Sequence, residues 1–301
     1  MIDYQAALTN AYRWATWPLR YRILRRAARQ GSVPLAILFY HRVSNEFPNP
    51  WTISEATFIK QIDWLAANFD LVSLAELQRR MRDGDSTRPA VSITFDDGYA
   101  DNCNWAMPML LKRNIPVTWF VTLQHPLDDK PFPHDVQAGQ PLRPVSPVTL
   151  RSLAAAGVEI GAHTRTHADL GAIADEATLY DEVVAATREL QELIGHKIRY
   201  FAFPYGQEQH LNPQAVELAR HAGFEAVCST RHDWNYVGND PFYLNRFHGD
   251  PSLPRLKNWL TFDPRLCRRN HAPFATKQLA NSPAASEISS SLATQHQVMT
   301  R

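Results

Sequence analysis

Residues 90–98 read Ala-Val-Ser-Ile-Thr-Phe-Asp-Asp-Gly. The first six form a short, nearly continuously apolar run rich in β-branched and aromatic residues, as a strand covered on both faces requires. Two carboxylates and a glycine follow at once, so this strand delivers polar chemistry at its C-terminal end. The pattern recurs at 35–40, 117–121, 158–162, 200–203, 226–229 and 243–247. Helical periodicity fills several of the gaps, at 58–68, 74–82, 104–113, 149–156, 177–194 and 213–222, with Thr149 and Asn212 as N-cap candidates and Gly157, Gly195 and Gly223 as stops. Strand–helix alternation predicts an α/β fold with a mainly parallel sheet and helical crossovers. Seven strands suffice for a closed or nearly closed barrel, in which function sits at the C-terminal strand ends.

The residues at those ends meet that expectation. His41 follows the first run, Asp96-Asp97-Gly98 the second, His163 and His167 the fourth, Pro204-Tyr205-Gly206 the fifth and His248 the last. The spacing of His163 and His167 suits two imidazoles on one face of a helical turn, within reach of one ion. A carboxylate from another strand completes a two-histidine, one-carboxylate set that leaves positions open for water and substrate. Of the adjacent Asp96 and Asp97, one can bind metal while the other meets the attacking water, and the tight turn beyond them wants Gly98.

The composition is that of an ordinary globular chain, with 45% hydrophobic and 20% charged residues among 301. A formal net charge of +1 offers no strong global field for nucleic acid, and none is expected as a partner. The three cysteines, Cys103, Cys228 and Cys267, form no CxxC, which argues against a disulfide framework or a cysteine zinc site.

Thr94-Phe95-Asp96-Asp97-Gly98 resembles the first motif of the polysaccharide deacetylases, the NodB homology domain or carbohydrate esterase family 4. His163-Thr164-Arg165-Thr166-His167 resembles the second motif, and Phe201-Ala202-Phe203-Pro204-Tyr205-Gly206 the third. Tyr40-His41-Arg42-Val43 is similar to the opening strand of the branch containing exopolysaccharide and poly-N-acetylglucosamine deacetylases. The resemblance spans about residues 34–265 and implies a distorted (β/α)7 barrel as a single catalytic domain. It implies one divalent metal held by Asp97, His163 and His167, zinc first, with iron, cobalt, nickel or manganese as other candidates. Asp96 would be the general base, and the Tyr205 backbone N–H would receive the oxyanion. The implied activity is removal of N-acetyl groups from N-acetylhexosamine units of a polysaccharide or its precursor. The alternatives are an O-acetyl esterase, a small cyclic-amide hydrolase, or a catalytically inactive carbohydrate-binding barrel.

The chain departs from the family in places. Ala202 stands where the third motif often has an arginine that orients the base, and Arg246 is the candidate replacement. Arg246-Phe247-His248 echoes the late motif that carries the acid, making His248 the candidate acid, with His41 competing for that role or lining the sugar site. Asp233-Trp234 resembles the fourth motif, whose tryptophan walls the pocket, and Pro204 joins His41 and Trp234 as a substrate-binding candidate.

Three segments divide the chain: a basic helical segment 1–32, a catalytic domain 33–270, and a Ser/Ala/Thr/Gln-rich tail 271–301 expected to be disordered. After Asp3 no acid occurs before Glu46, while Arg13, Arg20, Arg22, Arg25, Arg26 and Arg29 alternate with aromatic and aliphatic residues. Either this segment packs on the main domain with a solvated basic face, or it lies on an anionic membrane surface. Pro18 argues against one continuous helix. With no apolar signal region at the N-terminus, the expected location is cytoplasmic, peripheral to the inner membrane face in the second reading. A proline-rich stretch, 124–147, reads as a long ordered loop beside the site, with His134 and Asp135 as residues that could touch substrate. The sequence leaves the oligomeric state open.

Overall fold

The computed structural model describes residues 4–267, so the expected tail 271–301 lies outside the described residues. The sheet contains β1 (Ala36–Tyr40), β2 (Ala90–Phe95), β3 (Val117–Val121), β4 (Glu159–Ala162), β5 (Tyr200–Ala202), β6 (Ala226–Cys228), β7 (Tyr243–Leu244) and β8 (Phe247–His248). Each of β1 to β6 lies beside its successor in chain order, and every pairing is parallel. Two residues, Asp70–Leu71, also pair with the start of β2.

The expected last strand, 243–247, is two strands. Its first part pairs with β6, Leu244 opposite Cys228, and its second with β1, Leu38 opposite Phe247 and Phe39 opposite His248. One extended segment therefore joins both edges of the sheet and closes the ring as its seventh position, matching a distorted (β/α)7 barrel. Asn245 and Arg246 form the link at which the chain changes partner.

Alternate strand residues on one face of the sheet pack into a single core. Ile37, Phe120, Tyr200, Ala202 and Cys228 are fully buried in one cluster with helix residues Leu74, Leu77 and Met81. Each large apolar side chain there contributes roughly 1.5–3 kcal/mol by leaving water. The size gradient matters locally: a Cβ on Gly161 would overlap the Phe120 ring, so β4 can approach β3 only with glycine there.

Helix boundaries follow local chemistry. Ser146 caps the helix Pro147–Ala155 by accepting the Thr149 N–H, so the cap lies three residues before the expected Thr149, and Pro147 suits the first turn because it needs no donor. Asn212 does cap Pro213–His221. The expected helix 177–194 is interrupted by a wide turn over Asp181–Ala185 between Glu176–Tyr180 and Ala186–Ile194.

Residues of the basic segment form two helices, Tyr4–Ala15 and Trp17–Arg29, with Pro18 in the first turn of the second. They pack on the barrel as part of one compact unit with it. Buried Arg20 donates to the Asn258 carbonyl at 2.7 Å and to Asn258 Oδ1 at 2.6 Å, and Tyr12 donates to Asp263 Oδ1 at 3.0 Å.

Candidate metal centre and active site

The strand ends converge as parallel barrel geometry dictates, but two of the turns that follow them are unusual. Gly98 N–H bonds back to the Asp96 carbonyl at 2.9 Å around Asp97, whose φ is +72°. Gly206 N–H bonds back to the Pro204 carbonyl at 2.6 Å around Tyr205, whose φ is +60°. Both are strained three-residue turns, rare for residues with a side chain. Thr164 and His167 also have positive φ, so four of the eight such non-glycine residues described lie in this site. Strain of this kind persists only where the surroundings enforce it, and here backbone hydrogen bonds from Thr122, Val145 and Thr230 to the carbonyls of Asp97, Gly98 and Gly206 hold the two turns.

Asp97 and His163 are buried and His167 nearly so. Their ligand atoms all lie within 4.8 Å of one another. His163 Nδ1 sits 2.8 Å from the Ala202 carbonyl oxygen. A carbonyl only accepts, so Nδ1 carries the proton and Nε2 turns its lone pair to the site. The Nε2 atoms of His163 and His167 stand 3.4 and 3.3 Å from Asp97 Oδ1, which is buried without a hydrogen-bond partner. Acceptors facing one another at this spacing repel unless positive charge sits among them. Burial pushes the Asp97 carboxyl up, yet the flanking histidines outweigh it and hold the group well below the usual carboxylate range. Burial likewise drives the His167 ring down, but Asp97 and Asp96 raise it above its ordinary value. The pocket thus favours a cation, and its two imidazoles and one carboxylate fit a divalent metal ion.

The two histidines do not share a helical turn, contrary to the spacing argument: residues 163–169 form no helix. Their rings converge because the loop is held elsewhere. Thr164 Oγ1 accepts the His167 N–H at 2.9 Å. The buried carboxylate of Glu182 accepts the N–H groups of Arg165 and Thr166 at 2.9 and 3.0 Å and the Thr166 hydroxyl at 2.7 Å. The wide turn over Asp181–Ala185 presents that carboxylate. Sequence reading missed Glu182, although one signal was available: an acid on the buried stripe Leu179, Glu182, Val183, Ala186, Leu190.

Asp96 meets Arg246. The guanidinium donates to Oδ1 at 2.6 Å and to Oδ2 at 2.9 Å, with Nε bonded to the Ser229 carbonyl at 3.0 Å. Arg246 is fully buried between the Phe39 and Phe120 rings, 4.9 and 5.2 Å from their centroids. Two-pronged pairing fixes the plane of the carboxylate as well as its position.

On the other side, Asn102 holds the His41 carbonyl at 2.7 Å, and the His41 ring lies 5.2 Å from exposed Trp51 and 6.1 Å from His248. Burial pushes His41 down, and burial followed by the charge of His41 pushes His248 down to about 4. The Tyr205 ring is exposed and packs edge-on against His167 at 5.1 Å. Among the described residues, no acceptor takes the Tyr205 N–H.

Two substrate-binding expectations need correction. Trp234 is fully buried and stacks on Phe262 at 5.1 Å, so it is core and walls no pocket. Pro204 is buried beneath the turn it forms and presents little surface. The proline-rich stretch carries two short helices, Gln124–Asp128 and Pro133–Gln137. Its Phe132 packs edge-on against His167 at 5.7 Å, and Tyr99 donates to buried Asp135 at 2.9 Å. His134, half-exposed, lies 3.0 Å from the Tyr99 hydroxyl.

Residues 83–227 match the family model described as polysaccharide deacetylase. YxkH of Bacillus subtilis, provisionally designated a polysaccharide deacetylase, is 23% identical over 221 residues, covering 73% of this chain and 72% of that protein. A chitooligosaccharide deacetylase of Bradyrhizobium is 27% identical over 139 residues, 46% of this chain and 55% of that one. The solved structure of IcaB from Ammonifex degensii superposes with a TM-score of 0.65 at 27% identity, covering 76% of this chain and 97% of that one.

Proposed function

The chain carries a polysaccharide deacetylase domain, and from that premise we propose that it hydrolyses the N-acetyl groups of N-acetylhexosamine units in a polysaccharide or its precursor, using one divalent metal ion, zinc by preference. The observation that carries this reading is the convergence of Asp97, His163 and His167 on one point beside a carboxylate, Asp96, that Arg246 clamps. A divalent ion held by those three residues would polarise the acetyl carbonyl and acidify the attacking water.

The chain's own groups then divide the work. Asp96 takes a proton from the attacking water, and Arg246 keeps its carboxylate plane fixed while that proton moves. The Tyr205 N–H, free of other acceptors among the described residues, donates to the acetyl oxygen as it gains charge. The leaving amine needs a proton. His248 is half-buried, and burial followed by His41 pushes its pKa down to about 4, which favours the neutral ring at pH 7. We assign the return of the proton to Asp96, with His248, His41 and Trp51 lining the sugar side.

Acetate release from N-acetylglucosamine oligomers by metal-loaded protein tests this, with Asp96→Asn and His163→Ala alongside. Release by the parent protein that both variants abolish is the expected result. Hydrolysis of O-acetyl or cyclic-amide substrates in its place, or sugar binding without hydrolysis, would overturn it.

A further inference from the structure

The helix Tyr4–Ala15 is amphipathic in the wrong sense for a free surface helix. At 3.6 residues per turn, Tyr4, Ala7, Leu8, Ala11, Trp14 and Ala15 fall within a sector of about 120°. All six are exposed, and no polar residue shares the sector. Tyr4, Leu8 and Trp14 are 78%, 70% and 64% exposed. The opposite side, which includes Thr9, Asn10, Tyr12 and Arg13, is the less exposed one, and Tyr12 reaches Asp263 from it. Half-covering the polar side while presenting the apolar side reverses the arrangement that water selects.

The helix Trp17–Arg29 continues this surface with charge. Arg22, Arg25, Arg26 and Arg29 are exposed and fall within about 100° of one another, opposite buried Arg20, which pins the helix to the barrel. No acid occurs between residues 4 and 45, and none of these four arginines has a carboxylate partner among the described residues. Trp14 and Trp17 sit 6.1 Å apart, joining the apolar face to the cationic one, and Arg25 lies over the Tyr21 ring at 5.5 Å.

We propose that these two helices form a docking surface for an anionic lipid bilayer: the face of Tyr4, Leu8 and Trp14 enters the headgroup–acyl boundary while Arg22, Arg25, Arg26 and Arg29 meet lipid phosphates. Charge complementarity selects this occupant. A two-fold dimer through the same face would bring two clusters of unpaired arginines into one interface. A nucleic acid would take the arginines but leave the apolar face in water. The surface lies on the membrane, since no described helix is long and apolar enough to cross one.

The test is flotation of the full chain with phosphatidylcholine vesicles, with and without phosphatidylglycerol. The expected result is binding only when phosphatidylglycerol is present, weakened about tenfold or more by high salt, by Leu8→Ser with Trp14→Ser, and by glutamine at all four arginines. Thermal melting matched to the parent shows that the variants fold. Failure to bind phosphatidylglycerol vesicles at low salt, or binding that neither variant weakens, overturns the proposal. So does a dimer in size-exclusion chromatography that Leu8→Ser with Trp14→Ser dissociates.

Discussion

Arg246 and Asp96, 150 residues apart in the chain, meet in a two-pronged ion pair with both side chains buried. Arg246 reaches that position from the link between β7 and β8, the point at which the last segment leaves β6 for β1 and closes the barrel. The residue that orients the proposed base is thus also part of the closure.

Removing it has two separable effects. Arg246→Ala leaves Asp96 buried without a partner and is expected to destabilise the fold by about 3–5 kcal/mol. In the proposed reaction, kcat falls by about a hundredfold while KM and bound metal change little. Arg246→Lys restores charge without the fork, so it recovers stability more than rate. Melting curves and steady-state kinetics on both variants check this; a rate within about twofold of the parent for Arg246→Ala removes the orienting role.

Glu182 touches no donor atom of the proposed metal set, yet it holds the loop that carries two of them. Glu182→Gln keeps the size but replaces one acceptor oxygen with a donor beside two N–H groups. Metal affinity is expected to fall about 10- to 100-fold, as for partners that orient ligands. Competition with a chelator measures it. Equal affinity in the variant would show that the loop is held without Glu182.

The His248 pKa, pushed down from 6.5 to about 4, ties stability to pH. Between these values the unfolded chain binds the proton and the folded chain does not. Stability from this group is therefore full above about pH 6.5 and is lost as pH falls toward 4, by up to about 3 kcal/mol. Denaturant unfolding at several pH values reads the slope. His248→Gln should flatten it, and an unchanged slope would assign the effect to other groups.

Trp51 and Trp234 should separate stability from substrate handling. Trp234→Ala empties a stacked core position and is expected to cost about 3–5 kcal/mol. Trp51 is exposed beside His41, so Trp51→Ala should leave the melting temperature nearly unchanged and raise KM for acetylated oligosaccharides. A large melting shift in Trp51→Ala would make it a structural residue instead.

Much of this was legible in the chain itself. The apolar runs ending in Asp96-Asp97, His163 and Tyr205 mark parallel strands and say which ends matter, because a strand buried on both faces can place polar groups only where it stops. The loop at His163–His167 was misread as a helical turn because spacing is blind to positive φ at Thr164 and His167, which Glu182 and Thr164 Oγ1 secure from outside and within the segment. Trp234 was misread because a tryptophan beside an acid has the same local pattern whether it faces a pocket or Phe262.

Local sequence by itself determined the strand–helix order, the polar strand ends and the cationic, aromatic character of residues 4–29, since these depend on neighbours within a turn or two. Only the tertiary structure decided which residues meet. The division of 243–248 between two partner strands, the approach of Arg246 to Asp96, the burial of Glu182 and Trp234, and the outward turn of Tyr4, Leu8 and Trp14 all depend on closing the barrel and packing helices on it. Those contacts join residues tens to hundreds of positions apart, and no local propensity or spacing encodes them.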